Sequence, residues 1–387
     1  MKLKTLPIFL SFLVMGVADA MGPMSKQAQT AFHVSNVVAK LLPFFVFIAF
    51  AAFSLPGGLL AARIGKKKLL LAGLALNILG VAVPTFMVPT FPVLLACIFL
   101  LGVGTTFLQV AGNPIMRDVS AEGAYSRNLA LAQGIKGIGS FSSTALLRLV
   151  AIVSALAALG WRGAFPIYLT LMVLAFIAVA GLKVEETKSD RPPGFLASLG
   201  LLGEPVFALA VLGIFLYVGA EVCMTSSLEL QLNNVGIEGD WANYLGPTAF
   251  LIALTVTRLV AGSVRVNAHA FFRLSAVLGL AGVVCVLTGN EFLTVGGAIL
   301  CGLGFGNIWP MLFSITVEER PERANELSGL MCMAISGGAL VPLLMGRLVD
   351  AGWKALAFVV PLGCFIYLLL LSFRGVKKTM ATEPAKA

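Results

Sequence analysis

Charge is scarce in this chain: Asp, Glu, Lys and Arg together make up 12% of its 387 residues, and histidine occurs only twice. So little charge cannot clothe a water-soluble surface, and with 59% hydrophobic residues most of the chain has lipid as its natural solvent. Short segments alternating between apolar and polar residues are missing too, which excludes a transmembrane β-barrel. The six cysteines, Cys97, Cys223, Cys285, Cys301, Cys332 and Cys364, stand singly in apolar runs without CxxC spacing. That excludes a disulfide framework and a zinc site, and leaves them as packing residues. His33 and His269 are isolated from any acid–base or metal-ligating partners. With no paired nucleophile and base, no metal cluster and no Walker sequence, neither an enzyme nor a bound cofactor or metal is expected.

What the chain does have is long apolar runs. A backbone in lipid must satisfy its own hydrogen bonds, so each run reads as a helix, and each crossing takes roughly 20 residues. Runs at 6–24, 40–62, 69–88, 92–116, 128–158, 164–182, 206–228, 242–264, 272–289, 292–316, 327–349 and 355–373 predict an all-α integral membrane protein with twelve transmembrane helices. The net charge of +9 is dispersed at helix ends, so nucleic acid is not an expected partner. Lys2 and Lys4, Arg63 with Lys66 to Lys68, Arg117 and Arg127, Lys183 to Arg191, Arg265 and Arg273, Arg320 and Arg323, and Arg374 with Lys377 and Lys378 fall on every second connection. The positive-inside rule then places both termini in the cytoplasm of a bacterial-type inner membrane. Lys2, Lys4, the apolar stretch Leu6 to Val17 and Ala18-Asp19-Ala20 have the outline of a cleavable leader. Its removal would spoil the charge alternation, so it is read as the first span.

The one long polar connection carries Glu185, Glu186, Asp190, Arg191 and the Pro192-Pro193 pair, and divides the spans six and six. The expected organisation is a six-helix bundle at 1–182, a cytoplasmic linker at 183–205, a second bundle at 206–378 and a cytoplasmic tail at 379–387. An internal repeat supports it. Phe12-Leu13 and Gly16 recur as Phe215-Leu216 and Gly219, Gly102-Val103-Gly104 as Gly302-Leu303-Gly304, and Arg148-Leu149-Val150 as Arg347-Leu348-Val349.

Ionisable residues inside apolar spans cost roughly 2.5 to 3.5 kcal/mol each and normally face a cavity or a partner. Asp19, Lys136 and Glu221 are of this kind. Asp19 and Lys136 are expected to form a charge pair that is made and broken during the working cycle, and Glu221 is a candidate proton or cation site. Gln133, Lys136 and Ser140 share one helix face, as do Gln109 and Asn113. Amides both donate and accept, matching a solute rich in hydroxyls. Asn307 and Trp309 are added as solute contacts, the indole offering a flat face to a sugar ring. Pro114 and Pro310 are expected to interrupt their helices and free backbone carbonyls beside these groups. Glu318, Glu319, Glu322 and Glu326 with Arg320 and Arg323 read as a solvated, mixed-charge connection.

The stretch Gly58-Leu59-Leu60-Ala61-Ala62-Arg63-Ile64-Gly65-Lys66-Lys67 resembles the hallmark of the major facilitator superfamily, with Ala62 where that motif has Asp. Leu41-Leu42-Pro43 through Phe53-Ser54-Leu55-Pro56, Gln109 to Asn113-Pro114, Leu131-Ala132-Gln133, Tyr217-Val218-Gly219, Trp309-Pro310 and Ser336-Gly337-Gly338-Ala339 are similar to its fucose/glucose/galactose permease branch. The resemblance implies two six-helix halves around a midplane site, and a monomeric secondary transporter coupled to protons or sodium. It also implies a gating role for Gly58, Arg63, Gly65 and Lys66, and a monosaccharide as the solute. Fucose permeases carry an acid on helix 1 and Glu on helix 4; here Gln109 holds the latter position and Lys136 stands where the branch has Asn. Lys136 keeps open an anionic sugar acid as the solute. A drug or metabolite efflux pump is the other alternative.

Overall fold

The computed structural model describes residues 6–19, 21–39, 41–184, 194–265 and 267–374. Residues 185–193 of the expected linker and the expected tail at 379–387 lie outside the described residues. The helices are α1 (Leu6–Asp19), α2 (Met21–Phe32), α3 (Asn36–Ala39), α4 (Leu41–Ile64), α5 (Lys66–Phe86), α6 (Phe91–Val119), α7 (Tyr125–Ile152), α8 (Ser154–Ala157), α9 (Phe165–Ala180) and α10 (Phe195–Leu199). They continue as α11 (Pro205–Asn234), α12 (Asp240–Asn243), α13 (Ala249–Ser263), α14 (Ala268–Leu287), α15 (Glu291–Phe305), α16 (Ile308–Glu319), α17 (Ala324–Met333), α18 (Gly337–Asp350) and α19 (Val359–Ser372). Among the described residues there is no strand.

Nine helical stretches among the described residues are long and apolar enough to cross a membrane, and the shorter apolar helices Leu6–Asp19 and Leu356–Ser372 add two. The twelfth crossing is α7, whose Gln133, Lys136 and Ser140 stripe dilutes its apolar character. A buried apolar core is joined here by large apolar residues left exposed and polar ones buried. Leu79, Ile177, Leu343 and Leu370 are exposed on the flanks, while Asn77, Thr105, Gln109, Asn113 and Gln231 are buried. Local signals set several ends: Asn267 and Asn290 cap α14 and α15 by accepting the backbone N–H of Ala270 and Leu293 at 3.1 Å. Proline opens α6, α9 and α11 within their first two positions, where its missing N–H costs nothing.

Contacts divide the chain into two units, Met1–Leu201 with Arg320–Met333, and Leu202–Glu319 with Ala334–Ala387. In this grouping α17 falls in the first unit, where it packs on α4 at a glycine: a Cβ on Gly58 of α4 would stand 2.6 Å from the Asn325 carbonyl and 3.3 Å from the Gly329 Cα. Only bare backbone fits there.

Within each unit the repeated glycines do the same work. A Cβ at Gly16 would meet the Lys136 carbonyl of α7 at 2.5 Å, and one at Gly219 would meet Val341 of α18 at 2.4 Å, so spans 1 and 5 cross as spans 7 and 11 do. Gly104 abuts Gly73 and Asn77 on α5, and Gly304 abuts Gly279 on α14, so spans 3 and 4 cross as spans 9 and 10 do.

Candidate functional site

In the first unit the α1–α7 crossing brings two charges together. Gly139 of α7 faces Leu13 of α1 so closely that a Cβ would lie 2.2 Å from the Leu13 carbonyl. One turn beyond Gly16, Asp19 therefore reaches α7: its Oδ2 lies 3.6 Å from Lys136 Nζ and accepts the Ser140 hydroxyl at 2.6 Å. Ser140 Oγ also lies 3.1 Å from the Lys136 carbonyl, one turn back on its own helix. The Lys136 side chain is 17% exposed and that of Asp19 45%, so the pair is an open one, reachable by a small ion or solute.

The three predicted amides are buried: Gln109 and Gln133 are 2% exposed and Asn113 not at all. Gln109 and Asn113 lie one turn apart on one face of α6. Asn113 Nδ2 donates to Cys332 Sγ at 3.8 Å, and its backbone carbonyl accepts from Tyr125 Oη at 3.2 Å. Gln109 Oε1, Asn113 Oδ1 and Gln133 Nε2 have no protein partner. Contrary to expectation, α6 runs unbroken through Pro114. The proline still removes the N–H that the Val110 carbonyl would accept, and Ser328 Oγ of α17 donates there at 2.9 Å.

The second unit repeats that device with a stronger donor. Pro310 was expected to break its helix, yet the break falls at Gly306 and Asn307, between α15 and α16. Pro310 removes the N–H that the Gly306 carbonyl would otherwise accept. Arg258, 6% exposed on α13, donates Nε to that carbonyl at 2.8 Å and Nη2 to Tyr217 Oη at 3.0 Å. Its Nη2 also lies 4.0 Å from Glu221 Oε2, so Glu221 is partly neutralised rather than an isolated carboxylate. Asn307 Nδ2 donates to the Thr257 carbonyl at 3.3 Å and its hydroxyl at 3.2 Å. Asn307 Oδ1 and Trp309 Nε1, both buried, have no partner. The expected flat face of Trp309 is occupied: the residue is 3% exposed, and its ring tilts 31° against Phe313 with centroids 5.7 Å apart. Only the indole N–H remains to offer.

Of the hallmark residues, Gly58 makes the contact with α17 described above. Gly65 sits at a φ of 97° between α4 and α5, a left-handed turn that favours glycine. Lys66 is buried and paired with Asp118 at the end of α6, while Arg63 is exposed. Sequence reasoning passed over Asp118, 52 residues away in the chain. It also misplaced Glu326, which is not solvated: it is 4% exposed, accepts the Ser198 hydroxyl of α10 at 2.7 Å and is paired with Arg323. Arg323 in turn donates to the Ala197 carbonyl at 3.0 Å. Arg258 is the main omission, although an arginine within the apolar run Phe250 to Val260 carried the same signal as Lys136.

Known proteins supply an independent comparison. The sequence profile of the Major Facilitator Superfamily matches residues 8–239. The chain is 28% identical over 368 residues to a glucose/galactose transporter of Brucella abortus strain 2308, covering 90% of this chain and 88% of that protein. It is 24% identical over 393 residues to the L-fucose-proton symporter of Escherichia coli, covering 91% and 88%. The crystal structure of a variant of the E. coli fucose:proton symporter FucP superposes with a TM-score of 0.81 at 21% identity, over 94% of this chain and 97% of that one. The run of apolar helices, the glycine-rich hallmark and a profile match over more than half its length together establish that this chain belongs to the major facilitator superfamily.

Proposed function

We propose that the protein is a secondary active transporter of a monosaccharide, working by alternating access with proton or sodium coupling. The observation that carries the proposal is a set of buried polar atoms without protein partners. In the first unit Gln109 Oε1 and Asn113 Oδ1 are acceptors and Gln133 Nε2 is a donor; in the second unit, taken by itself, Asn307 Oδ1 is an acceptor and Trp309 Nε1 a donor. An orphaned buried polar group costs about 1–3 kcal/mol, so a mixed set of this kind fits a ligand that restores both kinds of bond. Sugar hydroxyls donate and accept, and meet both demands. Relatives named as glucose/galactose transporter and L-fucose-proton symporter support the same substrate class.

In this reading Gln109, Asn113, Gln133, Lys136, Asn307 and Trp309 contact the solute. Asp19, Lys136 and Glu221 carry the coupling, and Gly58, Arg63, Gly65 and Lys66 form the gating turn. The protein acts as a monomer in a bacterial-type inner membrane, with both termini cytoplasmic, the orientation favoured by the distribution of Lys and Arg. A sugar acid with Lys136 as its carboxylate partner is the weaker reading, because Asp19 already holds that ammonium at 3.6 Å. Reconstituted proteoliposomes offered neutral hexoses and hexuronates under separate proton and sodium gradients test both. Accumulation of a neutral hexose with one of the two gradients is expected. Accumulation of hexuronates alone, or no gradient-driven uptake of any sugar, would refute it.

A further inference from the structure

The break between α15 and α16 places two partnerless groups, Asn307 Oδ1 and Trp309 Nε1, within one helical turn of each other. Something must hold that break in shape, because an interrupted helix leaves backbone groups unsatisfied and free to rewind. Two residues of α13 do so. The Arg258 guanidinium takes the Gly306 carbonyl that Pro310 leaves without its helical donor, and is itself held by the Tyr217 hydroxyl. Thr257, the preceding residue, accepts from Asn307 Nδ2 through its carbonyl and its hydroxyl. The approach is tight: a Cβ on Gly306 would lie 2.0 Å from Thr257 Cγ2 and 2.7 Å from the Leu254 carbonyl. With its nitrogen committed to Thr257, the Asn307 amide has only its oxygen left to present.

We propose that Arg258 is a positioning residue for solute recognition, locking the Gly306–Asn307 break so that the Asn307 carbonyl oxygen and the Trp309 indole N–H are aimed together at one hydroxyl-bearing solute. This rests on the sugar-transport reading for the identity of the solute, but not for the geometry of the break. Planar bidentate donation is the property used here, with Nε and Nη2 serving two acceptors at fixed angles, and a lysine ammonium cannot reproduce it. A role as counter-ion to Glu221 would need only the charge.

The test uses the full-length protein with Trp161, Trp241 and Trp353 replaced by Phe, which leaves Trp309 as the single indole. Acrylamide quenching of Trp309 without solute is measured alongside the KM and maximal rate of sugar uptake. Arg258→Lys should raise the quenching constant about threefold and KM about tenfold while the maximal rate stays within about threefold, the loss of one charge-assisted bond expressed in binding. Glu221→Gln should leave Trp309 quenching as in the parent. Thr257→Val, a milder change, should raise KM a few-fold with a smaller rise in quenching, and decides the matter if Arg258→Lys does not reach the membrane. Parent-like quenching and KM in Arg258→Lys, or in Thr257→Val where that variant decides, would overturn the proposal. So would equal effects of Glu221→Gln and Arg258→Lys on Trp309. If the parent takes up no sugar, the quenching comparison still decides the positioning role, and only the transport reading fails.

Discussion

Replacing Lys136 by Met removes the ammonium from Asp19 while keeping the unbranched apolar stem of the side chain. At 3.6 Å the pair is worth about 1 kcal/mol if fully bathed in water and about 4.6 kcal/mol at an effective dielectric constant of 20. Because 45% of the Asp19 side chain is exposed, screening pulls the figure toward the lower end, and about 2 kcal/mol, or roughly 30-fold in an equilibrium, is the working value. If the pair is broken and remade in each cycle, Lys136→Met leaves Asp19 held by Ser140 alone and shifts the balance of states by that factor. Uptake into proteoliposomes under an imposed gradient should then fall by about 30-fold at unchanged protein content. The double variant Asp19→Asn with Lys136→Met removes both charges. It should regain downhill equilibration of the solute, because no orphaned charge remains, but not accumulation against a gradient. Gradient-driven accumulation in the double variant would show the pair to be a static brace. Unchanged uptake by Lys136→Met would remove the pair from the mechanism altogether.

Asp118→Asn takes the carboxylate from buried Lys66, so a loss of about 3 kcal/mol and a lower apparent Tm in detergent are expected, with much of it recovered when Lys66→Met is added. No recovery in the double variant would mean that Asp118 acts through other contacts. Gly16→Ala forces a methyl to within 2.5 Å of the Lys136 carbonyl and should cost about 1–3 kcal/mol, whereas Gly363→Ala, with nothing within 4 Å, should be silent in the same melting assay. Equal melting of the two variants would contradict the close α1–α7 crossing.

Membrane crossings were legible because apolar runs have one physical outcome in lipid, and the repeated glycines were legible because close helix contacts tolerate few alternatives. Asp19 and Lys136 announced themselves as charges in apolar surroundings, and the structure places them at the same helix crossing. Arg258 carried that signal too. An arginine a few residues before the end of a span ordinarily reports orientation, and that masks its contacts. Glu326 was hidden for the opposite reason: its charged neighbours made it resemble a surface, and only the fold brings Ser198 to it from 128 residues away. The helix break was foreseen on the right span but at the wrong residue. A proline frees the carbonyl four positions earlier, so the geometry departs at Gly306, upstream of Pro310 itself.

The place of α17 in the first unit has a consequence for how the chain is made. The Val110 carbonyl is met by the Ser328 hydroxyl, whose residue is synthesised 218 positions later. At 5–20 residues per second the ribosome needs about 10–40 s to deliver it. Throughout that interval the glycine face of α4 and the Val110 carbonyl of α6 sit in the bilayer without their eventual neighbour. A polypeptide ended at the polar connection would keep that vacancy for good, however complete its first six crossings.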